Sequence, residues 1–285
     1  MKLSRVALLT IAAMFAFAAN SLLCRMALGQ GLIDAASYTS VRIVTGAIML
    51  FALTAARWRR GRVRADWRGV VSLSTYMIAF SFSYISLDAG TGALLLFGAV
   101  QLTMFVAAVR SGERFSGWSW LGLGGAFAGL AVLVSPGIAA PDPVGAILMV
   151  VAGVAWGAYS LVGRHAGKKP LLATASNFVY SVPVAIVLLV PFIGRLNATP
   201  AGLALAAASG ALASGLGYAV WYSALPGLRK GTAATVQLSV PVIAAAGGVV
   251  LLSEPITVRL LVASAMILGG IWLVLTKRGR SVAAK

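Results

Sequence analysis

Ten long apolar segments follow one another along the 285-residue chain, with only short connections between them. They are 6–28, 35–56, 69–87, 91–109, 117–134, 144–163, 171–194, 201–225, 231–253 and 257–276. A helix needs about 20 mostly apolar residues to cross the hydrocarbon layer of a bilayer, and its backbone must be satisfied within each crossing. The sequence therefore predicts an all-α integral membrane protein with ten transmembrane helices. A transmembrane barrel would need alternating segments of about ten residues, which the sequence lacks.

The formal net charge of +17 would by itself suggest a nucleic-acid partner. However, 60% of the residues are hydrophobic, 10% are charged, and the mean hydropathy is +0.95. The charges stand in short clusters between the apolar segments, so the predicted partners are the lipid bilayer and a small-molecule substrate, and not nucleic acid. The single cysteine, Cys24, excludes an intrachain disulfide.

The basic residues indicate how the chain crosses the membrane. If the N-terminus is cytoplasmic, 19 of the 23 lysines and arginines fall on the inner side, and the six arginines of 57–68 form a topology anchor. The other four are Arg25, Arg42, Arg195 and Arg259. Both termini are thus predicted to be cytoplasmic, in a membrane that we expect to be the bacterial inner membrane.

The first apolar segment has an alternative interpretation as a signal peptide. Two basic residues precede it, and the sequence Ala-Phe-Ala at 16–18 resembles a signal-peptidase site. The apolar run resumes at 22–23, however, and the segment has a counterpart later in the chain. We therefore expect a true span.

An internal repeat relates the two parts of the chain. FAANSLLCR (17–25) aligns with WGAYSLVGR (156–164), and FSFSYISL (80–87) aligns with YAVWYSAL (218–225). Glu113 likewise corresponds to Glu254. Two halves follow, 1–137 and 138–285, and five spans in each require the second half to enter the membrane from the opposite face. Inverted repeats of this kind build secondary transporters, with the substrate site between the halves. One chain completes such a pathway, so a monomer is expected.

The chain resembles the EamA branch of the drug/metabolite transporter superfamily. The resemblance rests on the five-plus-five spans, on Trp156-Gly157 in the sixth span, and on Glu113 and Glu254 before the last helix of each half. Phe17-Ala18 departs from the Trp-Gly that the family often has in the first half. Size and aromatic content are most similar to aromatic amino-acid exporters of the YddG type. The resemblance implies metabolite export by alternating access.

Aromatic and polar residues inside the spans are the candidates for substrate binding. Tyr and Phe recur at helical spacing on the third and eighth spans, and a Trp-Tyr pair lies on the sixth. The predicted substrate-binding residues are Asn20, Tyr76, Phe80, Tyr84, Gln101, Trp156, Tyr159, Tyr218, Trp221, Tyr222 and Gln237. The alternatives are packing or a place in the interfacial belt for the aromatic residues, and helix-to-helix hydrogen bonds for the amides.

Three charged residues have more than one possible role. Arg42, two turns into the second span, could bind a substrate carboxylate, but we expect it to snorkel to the outer interface. Glu113 and Glu254 stand just before helix starts, where a carboxylate interacts well with the helix dipole. We expect both acids to be structural.

The sequence favours a carrier over other functions. No acid falls within the apolar core of any span, which favours facilitated transport over carboxylate-driven proton antiport. One His and one Cys exclude typical metal sites, and no catalytic motif is present, so neither an enzyme nor a cofactor is predicted. Nucleotide sugars would require several cations in the cavity. Efflux of lipophilic drugs remains the alternative to amino-acid export.

Overall fold

The computed structural model describes residues 3–58, 66–113, 115–137, 140–164, 169–228 and 230–276. In these ranges the chain forms α1 (Leu3–Gly29), α2 (Ala35–Trp58), α3 (Trp67–Ser83), α4 (Ala89–Arg110), α5 (Gly117–Val134), α6 (Pro143–Arg164), α7 (Pro170–Leu189), α8 (Pro200–Ala208), α9 (Gly217–Ala224), α10 (Lys230–Val236), α11 (Ser239–Leu252) and α12 (Val258–Thr276). The same ranges contain no strand, only an isolated bridge between Ile33 and Ala198. The predicted all-α class is confirmed.

Nine helical regions within the described ranges are long and apolar enough to cross a membrane. The third predicted segment, 69–87, is not among these nine, because its helix α3 has 17 residues and the chain turns at Tyr84. At the α-helical rise this is about 26 Å, near the lower limit for a spanning helix. The fifth segment agrees with α5 at both ends. Most of the arginine run 57–68 lies outside the described residues, which include only Arg57 and Arg68 of its six arginines.

Two of the predicted spans are irregular. The eighth consists of α8, a π-helix over Ser209–Leu216, and α9. The ninth is divided between α10 and α11 at Gln237 and Leu238. Pro241 lacks the N–H that would bond to the carbonyl of Gln237, and this carbonyl accepts from the Val240 amide at 3.1 Å instead. The missing N–H of Pro241 thus accounts for the break in the ninth span, whereas α7 continues through Pro183.

The connections that follow α1, α3, α5, α7 and α11 meet at one end of the bundle. The Asp34 amide donates to the Asn197 carbonyl at 2.8 Å, and the Ser86 hydroxyl donates to the Asp142 carboxylate at 3.0 Å. The carboxylate of Glu254, after α11, accepts from the first amide of α4. This arrangement makes successive spans alternate in direction, and the distribution of basic residues predicts this end to be the outer one.

Glycines bring neighbouring helices into close contact. A Cβ built on Gly129 of α5 would lie 2.8 Å from side-chain atoms of α12, and one built on Gly153 of α6 would lie 2.5 Å from the Cβ of Ala99 in α4. Gly157 is similarly close to Thr103. Gly129, Gly153 and Gly157 thus lie at helix interfaces, where a small residue lets backbones approach.

Candidate functional site

Eight of the eleven predicted site residues belong to one continuous network of aromatic rings. They come from α3, α6 and α9, and they are Tyr76, Phe80, Tyr84, Trp156, Tyr159, Tyr218, Trp221 and Tyr222. Phe17 of α1 extends the network to Trp221, and Phe178 of α7 contacts Tyr218. Helices from both halves of the chain therefore contribute rings to a single buried cluster, which we call the aromatic cluster.

Trp156 lies at the centre of the aromatic cluster. Its ring centroid is 4.8 Å from that of Tyr76 on α3, 5.3 Å from Tyr159 and 5.6 Å from Tyr218 on α9. The rings of Trp156 and Tyr218 are stacked, with 20° between their planes. Aromatic pairs at such distances stabilise each other beyond the area that they bury. Trp156 thus joins the stripe on α3 to the stripe on α9.

Most of the buried tyrosine hydroxyls have hydrogen-bond partners. The Tyr159 hydroxyl donates to Thr174 Oγ1 at 3.2 Å, and Thr174 also bonds the Tyr222 hydroxyl at 3.0 Å. The Tyr84 hydroxyl donates to the carbonyl of Ala89 at 3.3 Å. A buried hydroxyl needs such a partner in an apolar surrounding, and each bond also fixes the direction of its ring.

Arg42 does not snorkel, and that expectation is wrong. Its side chain is 0% exposed and turns into the bundle toward the aromatic cluster. Its guanidinium carbon lies 4.7 Å from the ring centroid of Phe80 and 5.5 Å from that of Tyr76. One nitrogen, Nη2, donates to the Tyr76 hydroxyl at 3.1 Å. The electron-rich faces of these rings stabilise the buried cation, which offsets part of the hydration that Arg42 would gain at the membrane interface.

The buried side-chain atoms without a hydrogen-bond partner are all on one face of α2. Among the described residues they are Nε and Nη1 of Arg42 and the hydroxyl of Tyr38, one helical turn before it. Leaving buried polar atoms unpaired is costly, and native proteins keep few of them. The polar edge of the aromatic cluster therefore has unused hydrogen-bonding capacity.

Three predicted site residues lie outside the ring network. Asn20 accepts hydrogen bonds from Ser209 at 2.9 Å and Ser214 at 3.2 Å, so it ties α1 to the π-helix, which was its alternative role. Gln101 borders a small apolar cavity between α4, α5 and α12. Gln237 lies in the break between α10 and α11.

Comparison with known proteins agrees with this architecture. Residues 143–276 match the model of the EamA-like transporter family. A protein of Pseudomonas aeruginosa, named only as uncharacterized, is 53% identical over 275 residues, which is 96% of this chain and 96% of that protein. This chain belongs to the EamA-like transporter family. It is therefore an integral membrane transporter, and its family consists of transporters and not of enzymes.

Two more distant relatives of this EamA-like transporter have functional names. An "uncharacterized transporter" of Archaeoglobus fulgidus is 27% identical over 74% of this chain and 76% of that protein. A "probable terminal-alkyne amino-acid exporter" of Streptantibioticus cattleyicolor is 28% identical over 72% of this chain and 70% of that protein. One crystal structure covers 97% of this chain and 99% of its own, with a TM-score of 0.68 and 18% identity, which shows a shared fold alone.

A cavity in the described part of this EamA-like transporter lies away from the aromatic cluster. It has a volume of about 260 Å³ and lies at the end of the bundle, among the connections after α3, α5 and α11. Its polar lining includes Asp88, Asp142, Glu254 and Arg259. The rings of the aromatic cluster, by contrast, pack directly against each other. We place the candidate site by its chemistry, because a transporter's binding site need not be open in every state.

A cluster of charged groups closes the bundle beside this cavity. Arg25 of α1 contacts Asp88 through Nη2 and Glu254 through Nε, each at 3.2 Å. Both Glu254 oxygens also accept from the Ala89 amide, at 3.1 and 2.9 Å. Burial raises the pKa of Glu254 above its usual value and Asp88 adds to this, against the hydrogen bonds from Ala89 and Arg25. The position of Glu254 before a helix start predicts only a structural acid, and no pattern in the sequence indicates this contact between the two halves.

Proposed function

We propose that this EamA-like transporter exports aromatic or other hydrophobic amino acids by alternating access. The pathway runs between two inverted five-helix repeats, 1–137 and 138–285, and the aromatic cluster binds the solute. The observation that carries the proposal is the position of Trp156, whose ring contacts α3 of the first repeat and α9 of the second. A movement of one repeat against the other would separate these rings and open a space between aromatic walls.

The packing of the helices supports the repeat. The correspondence found in the sequence relates α2 to α7, α4 to α11 and α5 to α12, and each of these pairs packs together. The correspondence also relates α1 to α6 and α3 to α9, the last helix of the eighth span. Exchanging the halves therefore turns the contact of α1 with α9 into the contact of α6 with α3, and both pairs pack together. Because exchanging the two halves leaves this packing unchanged, the outward-open and inward-open states should have similar free energies, as alternating access requires.

The amino-acid class is supported by a relative named as an amino-acid exporter and by the aromatic walls of the site. The YddG type of exporter, to which the sequence is most similar, is the subclass that we propose. Asn20, Gln101 and Gln237, which lie outside the ring network, stay in the proposal as polar groups of the pathway. We further propose cytoplasmic termini, a monomer, and a place in the bacterial inner membrane.

The proposed energy source is the solute's own gradient. In the spans that the structure describes, no Asp or Glu is present, so no carboxylate within a described span could couple a proton to the solute by its protonation. The test is tryptophan flux in proteoliposomes with and without a pH gradient. Flux that continues without the gradient is expected, and a strict requirement for it would contradict facilitated transport.

The proposed site is tested by truncating one ring. Trp156→Ala should lower tryptophan counterflow about tenfold, because three neighbouring rings lose their partner. Trp118→Ala is the matched control, since its ring is 60% exposed on α5, and we expect its flux to stay within about twofold of wild type. Thermal unfolding of each purified variant checks the fold. Equal flux in both variants would remove the aromatic cluster from the pathway, and transport only of uncharged aromatics would favour drug efflux.

A further inference from the structure

We propose that Arg42, with Tyr38, is the carboxylate-binding group of the transport site, and that the substrates are aromatic carboxylates recognised through their acid group. This inference rests on the proposed function and names the chemistry of its substrate. The starting observation is that Arg42 is 0% exposed and that its Nε and Nη1 have no hydrogen-bond partner among the residues that the structure describes. An unpaired guanidinium in a membrane-spanning helix is costly, and it marks a functional site more often than a structural one.

A structural ion pair does not explain Arg42. The chain has six acids, and five of them, which have their partners at helix ends, are Asp34, Asp66, Asp88, Asp142 and Glu254; none of these partners is Arg42. The sixth, Glu113, lies in the connection between α4 and α5. Within the described part of the chain, the only hydrogen bond of the Arg42 side chain is to the hydroxyl of Tyr76. The charge of Arg42 is thus available for an anion that arrives from outside the chain.

The surroundings of Arg42 specify which anion fits. Its guanidinium lies over the ring of Phe80, and Tyr76 separates it from Trp156 by a single ring. A solute that placed a carboxylate on Arg42 would bring its apolar part against these rings. The hydroxyl of Tyr38, one turn away on α2, could donate to the same carboxylate. A carboxylate attached to an aromatic group satisfies both the unpaired donors and the rings.

The same inventory of charges predicts what the site does not select. No acidic side chain in the described spans is available to pair with a substrate ammonium. The amino group of an amino acid would then contribute little to recognition. An aromatic amine without a carboxylate would place one cation beside another, which is unfavourable. We therefore expect the acid group to be required and the amino group to be dispensable.

The test measures displacement of labelled tryptophan from the purified full-length protein. Indolepropionate, which keeps the carboxylate without the amine, should compete as well as tryptophan. Tryptamine, which keeps the amine without the carboxylate, should compete about 10- to 100-fold more weakly, the usual effect of losing a charge-assisted hydrogen bond. Arg42→Gln should weaken binding of tryptophan and indolepropionate by a similar factor, and Arg42→Lys should recover part of it.

Stability separates this role from a structural one. Removing an unpaired buried cation should leave the unfolding temperature of Arg42→Gln unchanged or higher, whereas loss of a structural residue would lower it. Arg195→Gln is the matched control, because it removes an arginine that is exposed. Equal competition by tryptamine and tryptophan, or unchanged affinities in Arg42→Gln, would overturn the role of Arg42 and leave the transport proposal standing. If tryptophan is not bound at all, both proposals fail.

Discussion

The contact between Arg25 and Glu254 should stabilise the closed end of the bundle by a measurable amount. Arg25 lies on the first span and Glu254 after the ninth, so their ion pair joins the two halves of the chain. Their side chains are 22% and 10% exposed, which places the pair between two regimes. Exposed pairs contribute about 0.2–1 kcal/mol, whereas breaking a buried pair costs about 3–5 kcal/mol. We therefore expect Arg25→Gln and Glu254→Gln each to cost about 1–2 kcal/mol.

Glutamine is the chosen replacement because it changes the charge and little else. A glutamine at 254 can still accept from the Ala89 amide, which lies 2.9 Å from one carboxylate oxygen. The double variant should then show a coupling energy of about 1 kcal/mol. Asp88, which is 44% exposed, should contribute only a few tenths of a kcal/mol to the cluster.

The assay is the free energy of unfolding, measured by denaturant titration of the protein in mixed micelles, for wild type, both single variants and the double variant. Arg195→Gln controls for the general loss of one positive charge at an exposed position. If the two single effects add to the double effect within about 0.5 kcal/mol, Arg25 and Glu254 are not coupled. The contact would then hold no part of the bundle closed.

Two further predictions concern the connections and the helix interfaces. Burial acts to raise the pKa of Asp34, but hydrogen bonds from Ser37 and from the Asn197 amide outweigh it and hold the pKa below its ordinary value of 3.8. The depressed pKa stabilises the fold above pH 3.8, and this stabilisation is lost as the pH falls through the folded-state pKa. Asp34→Asn removes this titration, so the free energy of unfolding of the variant should fall less steeply than that of wild type as the pH decreases below 3.8. A steeper curve in the variant would contradict the assignment. Gly129→Leu should destabilise the packing of α5 on α12 by about 1–3 kcal/mol, because side-chain atoms of α12 lie 2.8 Å from the position that a Cβ would occupy there. Gly124→Leu, with nothing within 4 Å, should leave the unfolding free energy nearly unchanged, and equal effects would refute the close contact.

The sequence was sufficient to predict the helices and most of the rings. Hydrophobic length alone located the spans, because a helix in lipid must be long, apolar and internally bonded. The i, i+4 spacing placed Tyr76 and Phe80 on one face of α3, and their rings contact each other. The break before Pro241 was also foreseeable, since proline removes a specific backbone hydrogen bond. The π-helix at Ser209–Leu216 was not, because no local pattern distinguishes its sequence from an ordinary apolar helix.

What the amino-acid sequence determined is therefore the all-helical membrane class of the chain, the faces of its helices and the chemistry that each face presents. Only the tertiary structure decided that Arg42 lies beneath Phe80 and Tyr76, because snorkelling and burial are both compatible with a position two turns into a span. The choice between them depends on rings contributed by α3, which is separated from α2 along the chain and lies beside it only in the folded bundle. The contact of Arg25 with Glu254 could not be predicted for the same reason, because the two residues are 229 positions apart in the sequence and meet only in the folded bundle.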